Sequence, residues 1–244
     1  MNSGKWIWFS DNAGKDEYGE FFTDFCWNGK EKLRLQLSVD GDYTLFINGV
    51  YVSSNQYGDY EHYKIYDEID VTSFLRIGKN VMFILVWHIG EDTSKYKFYK
   101  AGLIFSLLQG NNVVVESDEN TLCRKSLTYQ SGYCKWISPQ MGYSFLYNAT
   151  KEANCCFSQE GFVPATLVEK NCKFFARPNQ KLVIGERAEA VCLEAKELHY
   201  IIDLGKETVG LPTLQFLSPC EQKITVAWGE DLQDGHVRQK IDYP

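Results

Sequence analysis

The sequence predicts an all-β protein, and three features support that prediction. Asn48-Gly49 stands between two alternating apolar runs, which is the strongest short signal for a β-hairpin because both turn residues adopt positive φ. From Leu33 to Val39 every second residue is apolar, the period of a strand with one buried face. Aromatic residues make up 15% of the chain, and flat rings pack well on a pleated sheet.

Further strands are predicted wherever an apolar run is bounded by turn residues or polar loops. These runs occupy residues 6–9, 21–27, 81–87, 103–108, 112–116 and 122–127. The nearly continuous apolar run at 81–87 favours a strand covered on both faces. Helical signal is sparse: a single turn is expected at 72–75, and 150–156 is at most weakly helical. The polar stretch 10–19 is predicted to be a loop.

The character of the chain changes near residues 174–185, where Arg177-Pro178-Asn179 is typical of a turn or linker. We therefore expect a first domain over residues 1–176 and a second beginning at 177. The second segment offers three strand candidates, at 199–204, 211–217 and 223–228. Three or four strands cannot close a sandwich alone, so residues 177–244 are expected to be the start of a second, incomplete β-sandwich domain.

Composition excludes several classes of function. The net charge of -7 disfavours a nucleic-acid partner, and no run of about 18 apolar residues predicts a membrane span. The start of the chain lacks the pattern of a secretory leader. The 8 cysteines and four histidines fit no zinc-ligand spacing, so we expect free thiols in a reducing cytoplasm. No nucleophile, phosphate-loop or dinucleotide motif is present, and His88 is expected to be a core histidine.

Two segments resemble glycoside hydrolases. Tyr43-Thr44-Leu45-Phe46-Ile47-Asn48-Gly49, followed by residues 70–80 (DVTSFLRIGKN), resembles the galactose-binding-like jelly roll of rhamnosidases, β-galactosidases and β-glucuronidases. Residues 202–210 (IDLGKETVG) and 224–235 (ITVAWGEDLQDG) look like the signature of the β-sandwich that precedes the catalytic barrel of bacterial α-L-rhamnosidases. Trp228 stands where that signature usually has Tyr.

The resemblance implies the N-terminal region of a bacterial α-L-rhamnosidase, truncated before an (α/α)6 barrel that cleaves with inversion. The expected fold is a galactose-binding-like jelly-roll β-sandwich followed by part of a second one. The region would be non-catalytic, with the downstream catalytic domain and a rhamnose-containing glycan as partners, and no nucleic acid or membrane. The alternatives are the N-terminal sandwich of a β-galactosidase or β-glucuronidase, and a free-standing carbohydrate-binding module.

Aromatic residues supply the candidate carbohydrate contacts, because rings stack on the C–H faces of sugars while nearby acids accept hydroxyl hydrogen bonds. One loop contains Tyr57, Tyr60, His62 and Tyr63, together with Asp59 and Glu61. Trp136 is a second candidate platform. The alternative is that these rings cover the edge of the sandwich or face a neighbouring domain.

No catalytic residue, cofactor or metal ligand is predicted. Glu230 and Asp231 are adjacent, so on an extended chain they point to opposite faces, whereas inverting glycosidases need two carboxylates facing across roughly 6.5–9.5 Å. Together with Asp234 they are expected to be structural. A structural calcium ion is the minority alternative, because oxygen ligands are present without a spacing that specifies a cage.

Overall fold

The computed structural model describes residues 4–55, 57–151, 160–181, 183–190, 192–196, 199–229, 232–233 and 235–237. The chain divides into two compact units, Met1–Gln180 and Lys181–Pro244. Within the described residues the only helical elements are single 3-10 turns at Thr72–Phe74 and Ala149–Lys151. None of these residues forms a helix of the length and hydropathy that a membrane crossing requires.

The first unit is a β-sandwich, which confirms the all-β prediction. Its strands, in chain order, are β1 (Ile7–Trp8), β2 (Glu17–Trp27), β3 (Leu33–Val39), β4 (Asp42–Ile47), β5 (Val50–Ser54), β6 (Tyr63–Asp70), β7 (Gly78–His88), β8 (Leu103–Gln109), β9 (Asn112–Glu116), β10 (Leu122–Lys125), β11 (Trp136–Ser138), β12 (Gly142–Tyr143), β13 (Val163–Pro164), β14 (Thr166–Leu167) and β15 (Lys173–Ala176).

Two sheets form the layers of this sandwich. One has the order β14-β1-β8-β3-β6-β15, with β9 also paired to β8, and the other has the order β13-β10-β2-β7-β4-β5. Every pairing in them is antiparallel except that of β15 with β6, which is parallel. Strands β11 and β12 form a separate hairpin. Most of the fold is therefore built from pairings between distant parts of the chain.

The core lies between the facing sides of the two sheets. Leu33, Leu35, Leu37 and Val39 of β3 are fully buried, while Arg34 and Gln36 between them are not. The facing sheet contributes alternate residues of β4 and β7. The predicted period-2 pattern of β3 is the pattern of burial from Leu33 to Leu37, whereas Ser38 is also fully buried and its hydroxyl donates to the Ile65 carbonyl at 2.8 Å.

A hydrogen-bond network joins the two halves of the first sequence motif. Asn48 and Gly49 adopt φ of 51° and 79°, as the predicted hairpin turn requires. The Asn48 side chain donates to Asn80 Oδ1 at 2.9 Å and accepts from the Val81 backbone N–H at 3.1 Å. Asn80, which is fully buried, also donates to the carbonyls of Arg76 and Gly78 at 2.8 and 2.9 Å. The motif therefore fixes one end of the sandwich.

Strand β2 begins earlier than the sequence indicated. The stretch 10–19 was predicted to be a loop, yet Glu17 already pairs with His88 in the ladder between β2 and β7. The reason is the aromatic side chain of Tyr18, which is 5% exposed and stacks on Trp87 with ring centroids 5.8 Å apart. A cross-strand ring pair offsets the polar character of the neighbouring residues.

The second unit is described as two hairpins. Strand β16 (Cys192–Lys196) pairs with β17 (His199–Asp203), and β18 (Leu232–Gln233) pairs with β19 (His236–Val237). The strand predicted at 199–204 is confirmed, whereas those predicted at 211–217 and 223–228 are wrong, because both segments lack regular structure. Their side chains are exposed, and a strand needs a hydrogen-bonded neighbour and a buried face.

The Asn48–Asn80 network yields a stability prediction. Asn80→Ala removes one of the two acceptors of the Asn48 amide and leaves the Arg76 backbone N–H and two carbonyls without the Asn80 side chain as their partner. Because each unsatisfied buried group costs about 1–3 kcal/mol, we expect a loss of about 3 kcal/mol in the free energy of unfolding, measured by urea denaturation. Asn112→Ala, at an exposed strand end, is the control and is expected to change stability by less than about 0.5 kcal/mol. Equal effects of the two substitutions would contradict the role given to Asn80.

Candidate functional site

The predicted aromatic loop forms a tight turn that leads into β6. Tyr60 and Tyr63 exchange backbone hydrogen bonds of 3.2 and 3.1 Å. The turn leaves the Tyr60 side chain 54% exposed, and its ring lies 6.2 Å from the ring of His62 at an interplanar angle of 30°. Tyr60, His62 and Tyr63 are therefore brought together at one end of the sandwich.

A fourth ring, which the sequence did not reveal, joins this group. Phe175 in β15 stacks on Tyr63 with ring centroids 4.0 Å apart and an interplanar angle of 14°. Tyr63 and Phe175 remain 42% and 38% exposed. The contact depends on the parallel pairing of β15 with β6, two segments far apart in sequence, so no local pattern predicts it. We call Tyr60, His62, Tyr63 and Phe175 the aromatic surface.

Tyr57 differs from these rings because it packs against a buried ion pair. The Arg177 guanidinium lies 5.5 Å from the centre of the Tyr57 ring. Its Nε and Nη2 atoms donate to the two carboxylate oxygens of Asp67, the second at 3.1 Å. Asp67 is 1% exposed and also accepts the Tyr43 hydroxyl at 2.5 Å. Tyr57 thus borders the anchor that holds the end of β15 on the sandwich.

Trp136 lies on the separate β11–β12 hairpin. Its ring meets the ring of Tyr143 edge-on, with centroids 5.0 Å apart. The hairpin is tied to the loop after β7, since the Ser94 N–H donates to the Pro139 carbonyl at 2.7 Å and the Tyr143 hydroxyl donates to Glu91 at 2.6 Å. Among the described residues no ring contact joins Trp136 to the aromatic surface.

The loop after β7 also borders the aromatic surface. A Cβ atom at Gly58 would lie 2.4 Å from the Lys95 carbonyl oxygen, so only glycine allows the two loops to approach this closely. This loop presents the exposed side chains of Lys95, Lys97 and Phe98. The alternation of lysines and rings over residues 95–100 was a sequence signal that could have identified it.

Beneath the aromatic surface lies a buried cluster of charged groups. Lys64 Nζ is 2.6 Å from Asp59 Oδ1 and 3.9 Å from Asp40 Oδ2. Asp59 also accepts the Ile65 N–H at 2.7 Å. These side chains are 1–6% exposed, so the ion pairs are shielded from solvent. They tie the aromatic loop to the turn that follows β3.

His88 and Tyr96 also contact the carboxylate of Asp40. His88 Nδ1 lies 3.2 Å from Asp40 Oδ1, and the Tyr96 hydroxyl donates to the same oxygen. Burial alone would raise the pKa of Asp40, but the hydrogen bond from His88 and the attraction of Lys170 and Lys64 hold that pKa below its ordinary value. The expectation that His88 is a core histidine is confirmed by its 3% exposure.

For two groups of the cluster, Asp59 and Lys170, the neighbouring charges do not fully offset the cost of burial. Burial raises the pKa of Asp59 despite the attraction and hydrogen bond of Lys64. Lys170 Nζ lies 4.1 Å from the centre of the Trp6 ring and has no hydrogen-bond partner among the described residues. Burial lowers the pKa of Lys170 to about 8, although Asp40 attracts its charge. The cluster therefore contains a lysine that is costly to keep charged.

This geometry favours binding over acid–base chemistry. The Asp40 and Asp59 side chains are only 1% and 6% exposed, so neither carboxylate can reach a glycosidic oxygen at the surface. Glu230, Asp231 and Asp234 lie outside the described residues, so their expected structural role stays a prediction. In the part of the chain that the structure does describe, no three potential metal ligands come together.

A shallow cleft of about 520 Å³ lies elsewhere on the first unit, between residues 125–131 and 146–149. Tyr129, which lines it, stacks on Tyr18 with centroids 4.9 Å apart and also contacts Tyr147 at 4.8 Å. Its ring faces are therefore engaged within the protein. The cleft offers a sugar less free aromatic area than the aromatic surface does.

Solved structures with a similar fold are α-L-rhamnosidases. The chain superposes on the GH78 family rhamnosidase of Bacillus sp. GL1 with a TM-score of 0.66 at 20% identity, over 72% of this chain and 20% of that one. For α-L-rhamnosidase from Dictyoglumus thermophilum the TM-score is 0.61 at 18% identity, over 83% of this chain and 25% of that one. For Streptomyces avermitilis α-L-rhamnosidase complexed with L-rhamnose the TM-score is 0.57 at 18% identity, over 78% of this chain and 20% of that one.

The chain shares its fold with part of the α-L-rhamnosidases. The resemblance drawn from the two motifs is thereby confirmed at the level of the fold. The chain spans only a fifth to a quarter of the length of these rhamnosidases. No protein-family model and no curated protein sequence matches it.

The buried lysine of this rhamnosidase-like sandwich gives a prediction about pH. The pKa of Lys170, about 8, lies below its ordinary 10.5, so between these values the unfolded chain binds more protons and stability should rise with pH. Lys170→Met keeps the apolar stem on Trp6 and removes the charge. We expect it to raise the free energy of unfolding at pH 7 by on the order of 2 kcal/mol and to abolish the gain between pH 8 and 10.

The measurement is urea denaturation of the unchanged chain and of Lys170→Met from pH 6 to 10. Lys30→Met, at an exposed turn, is the control and should leave the pH profile unchanged. If Lys170→Met retains the rise in stability above pH 8, the rise comes from another group.

Proposed function

We propose that this chain is a non-catalytic accessory region of an α-L-rhamnosidase-like glycoside hydrolase. Its roles would be to support the catalytic domain of the same polypeptide and to contact the carbohydrate substrate. The supporting observation is the fold shared with several rhamnosidases over most of this chain and a minor part of theirs. The matched part is only 20–25% of each rhamnosidase chain, which leaves most of such an enzyme for the catalytic domain.

The aromatic surface supports the proposed contact with carbohydrate. Tyr60 is more than half exposed, and Tyr63 and Phe175, although stacked on each other, remain 42% and 38% exposed. Exposed rings give apolar area at low entropic cost, and tyrosine hydroxyls add hydrogen bonds to sugar hydroxyls. A rhamnose-containing glycan is the ligand class we propose, with no nucleic acid and no membrane.

Enclosure of the nearby carboxylates supports the non-catalytic role. The aspartates closest to the aromatic surface are buried and paired with Lys64, which leaves them unable to exchange protons with a bound sugar. We propose that the catalytic acid and base lie in the downstream domain, where cleavage would proceed with inversion. The region itself is proposed to need no cofactor, and a structural calcium ion near residues 230–234 remains the minor alternative.

A cytoplasmic location in a bacterium is also proposed. The cysteines whose side chains the structure describes, Cys26, Cys123, Cys134, Cys172 and Cys220, have free thiols, as a reducing compartment would maintain. Two alternatives to the main proposal are a β-galactosidase or β-glucuronidase sandwich and a free-standing carbohydrate-binding module. A free-standing module must bind sugar tightly by itself, whereas an accessory region needs only a weak contact.

Activity of the isolated chain tests the non-catalytic role. Incubation with p-nitrophenyl α-L-rhamnoside is expected to release no p-nitrophenol above the buffer rate, because Asp40 and Asp59 are enclosed beneath the aromatic surface and cannot reach a bound glycoside. Enzymatic turnover that copurifies with the chain through two chromatographic steps would overturn the proposal.

Carbohydrate contact is tested by NMR titration of the chain with L-rhamnose, D-galactose and D-glucuronate. Tyr60→Ala is expected to weaken binding roughly fivefold, because a stacking ring contributes on the order of 1 kcal/mol. Tyr51→Ala is the matched control, since Tyr51 is 37% exposed at the other end of β4. Absence of binding to all three sugars, or an equal loss in both variants, would remove the aromatic surface from the proposal.

A further inference from the structure

We propose that the aromatic surface selects acidic saccharides, those carrying uronic acid carboxylates, over neutral ones. This inference rests on the carbohydrate contact proposed above and adds the charge of the ligand. The inference rests on lysines that border the rings and that are not among the carbohydrate contacts predicted from the sequence.

The first observation is a contrast in charge. The whole chain has 32 acidic and 25 basic residues, yet residues 95–100, KYKFYK, include three lysines and no acid. In an acidic protein such a segment creates a local positive potential, which attracts anions.

The second observation is the position of the lysines. The Lys95 backbone packs against Gly58 of the aromatic loop, and the Lys97 ammonium lies within electrostatic reach of Tyr60. From the other side, Lys173 is paired with Tyr63 in the ladder, and its N–H donates to the His62 carbonyl at 3.0 Å. Exposed lysines therefore stand on two sides of the rings.

The third observation is which charges are already neutralised. Lys97 pairs with Asp92 at 2.5 Å, and Lys64 pairs with Asp59 at 2.6 Å. Lys95 and Lys173 have no ion pair among the described residues. The acid that opposes them on the aromatic loop is Glu61. The surplus positive charge at the aromatic surface thus comes from Lys95 and Lys173.

This combination specifies a ligand chemistry. A pyranose ring can place its C–H face on Tyr60 or Phe175 while its carboxylate approaches an unpaired ammonium group. A strand of nucleic acid would also meet rings and lysines, but the net charge of -7 repels a long polyanion more strongly than a short uronide.

The test compares two probes with the same sugar backbone, one with ionised carboxylates and one with neutral methyl esters. Isothermal calorimetry or NMR titration of the full chain is performed with trigalacturonic acid and with its fully methyl-esterified form. The acid is expected to bind roughly tenfold more tightly at low salt, and the difference should shrink as salt is raised, because exposed charges are screened.

Matched variants assign the effect to residues. Lys95→Gln and Lys173→Gln should each weaken binding of the acid roughly two- to fivefold and leave binding of the ester unchanged. Glu61→Gln should strengthen binding of the acid by a similar factor. Lys30→Gln, an exposed lysine at the other end of β3, is the control and should change neither.

The outcomes separate this inference from the proposed function. If the ester binds as tightly as the acid, the carbohydrate contact stands and selection by charge is wrong. If neither probe nor any sugar of the earlier panel binds, the carbohydrate contact fails and the inference falls with it. Tighter binding of oligo-dT than of trigalacturonic acid would overturn the inference in favour of a nucleic-acid site.

Discussion

The loop end of the sandwich depends on burying charges in pairs. Asp59 and Lys64 of the aromatic loop meet Asp40, which follows β3, and Asp40 also contacts His88 at the end of β7. An ionised side chain enclosed without a partner costs several kcal/mol, so the contact of Lys64 with Asp40 holds the aromatic loop against the turn after β3. The exposed rings above them are positioned by this buried chemistry, and their own contacts with each other are secondary.

The two ends of the sandwich are thus held by different means. At the end near the Asn48-Gly49 turn, neutral amide side chains satisfy backbone groups, and the residues involved are those of the family-like motif. At the opposite end, buried ion pairs and the stacking of Phe175 on Tyr63 hold loops that contain no such motif. The motif therefore records a structural requirement of the fold, and the surface with functional potential lies away from it.

Strand β15 connects the fold to the candidate site. Phe174 stacks on Trp6 with centroids 6.0 Å apart, its neighbour Phe175 stacks on Tyr63, and Arg177 pairs with Asp67. The same short strand thus packs against the sandwich and supplies a ring to the aromatic surface.

The sequence by itself determined the all-β class, the Asn48-Gly49 hairpin and most strands of the first unit, because these follow from local periodicity and turn chemistry. It also identified Tyr60, His62 and Tyr63 as neighbours, since they share one loop. Only the tertiary structure decided that Phe175 and Lys173 join them, that Trp136 stands apart, and that Asp40 and Lys170 are buried. These relations arise from pairings between distant strands and from burial of charge, and neither leaves a periodic signal in a single sequence.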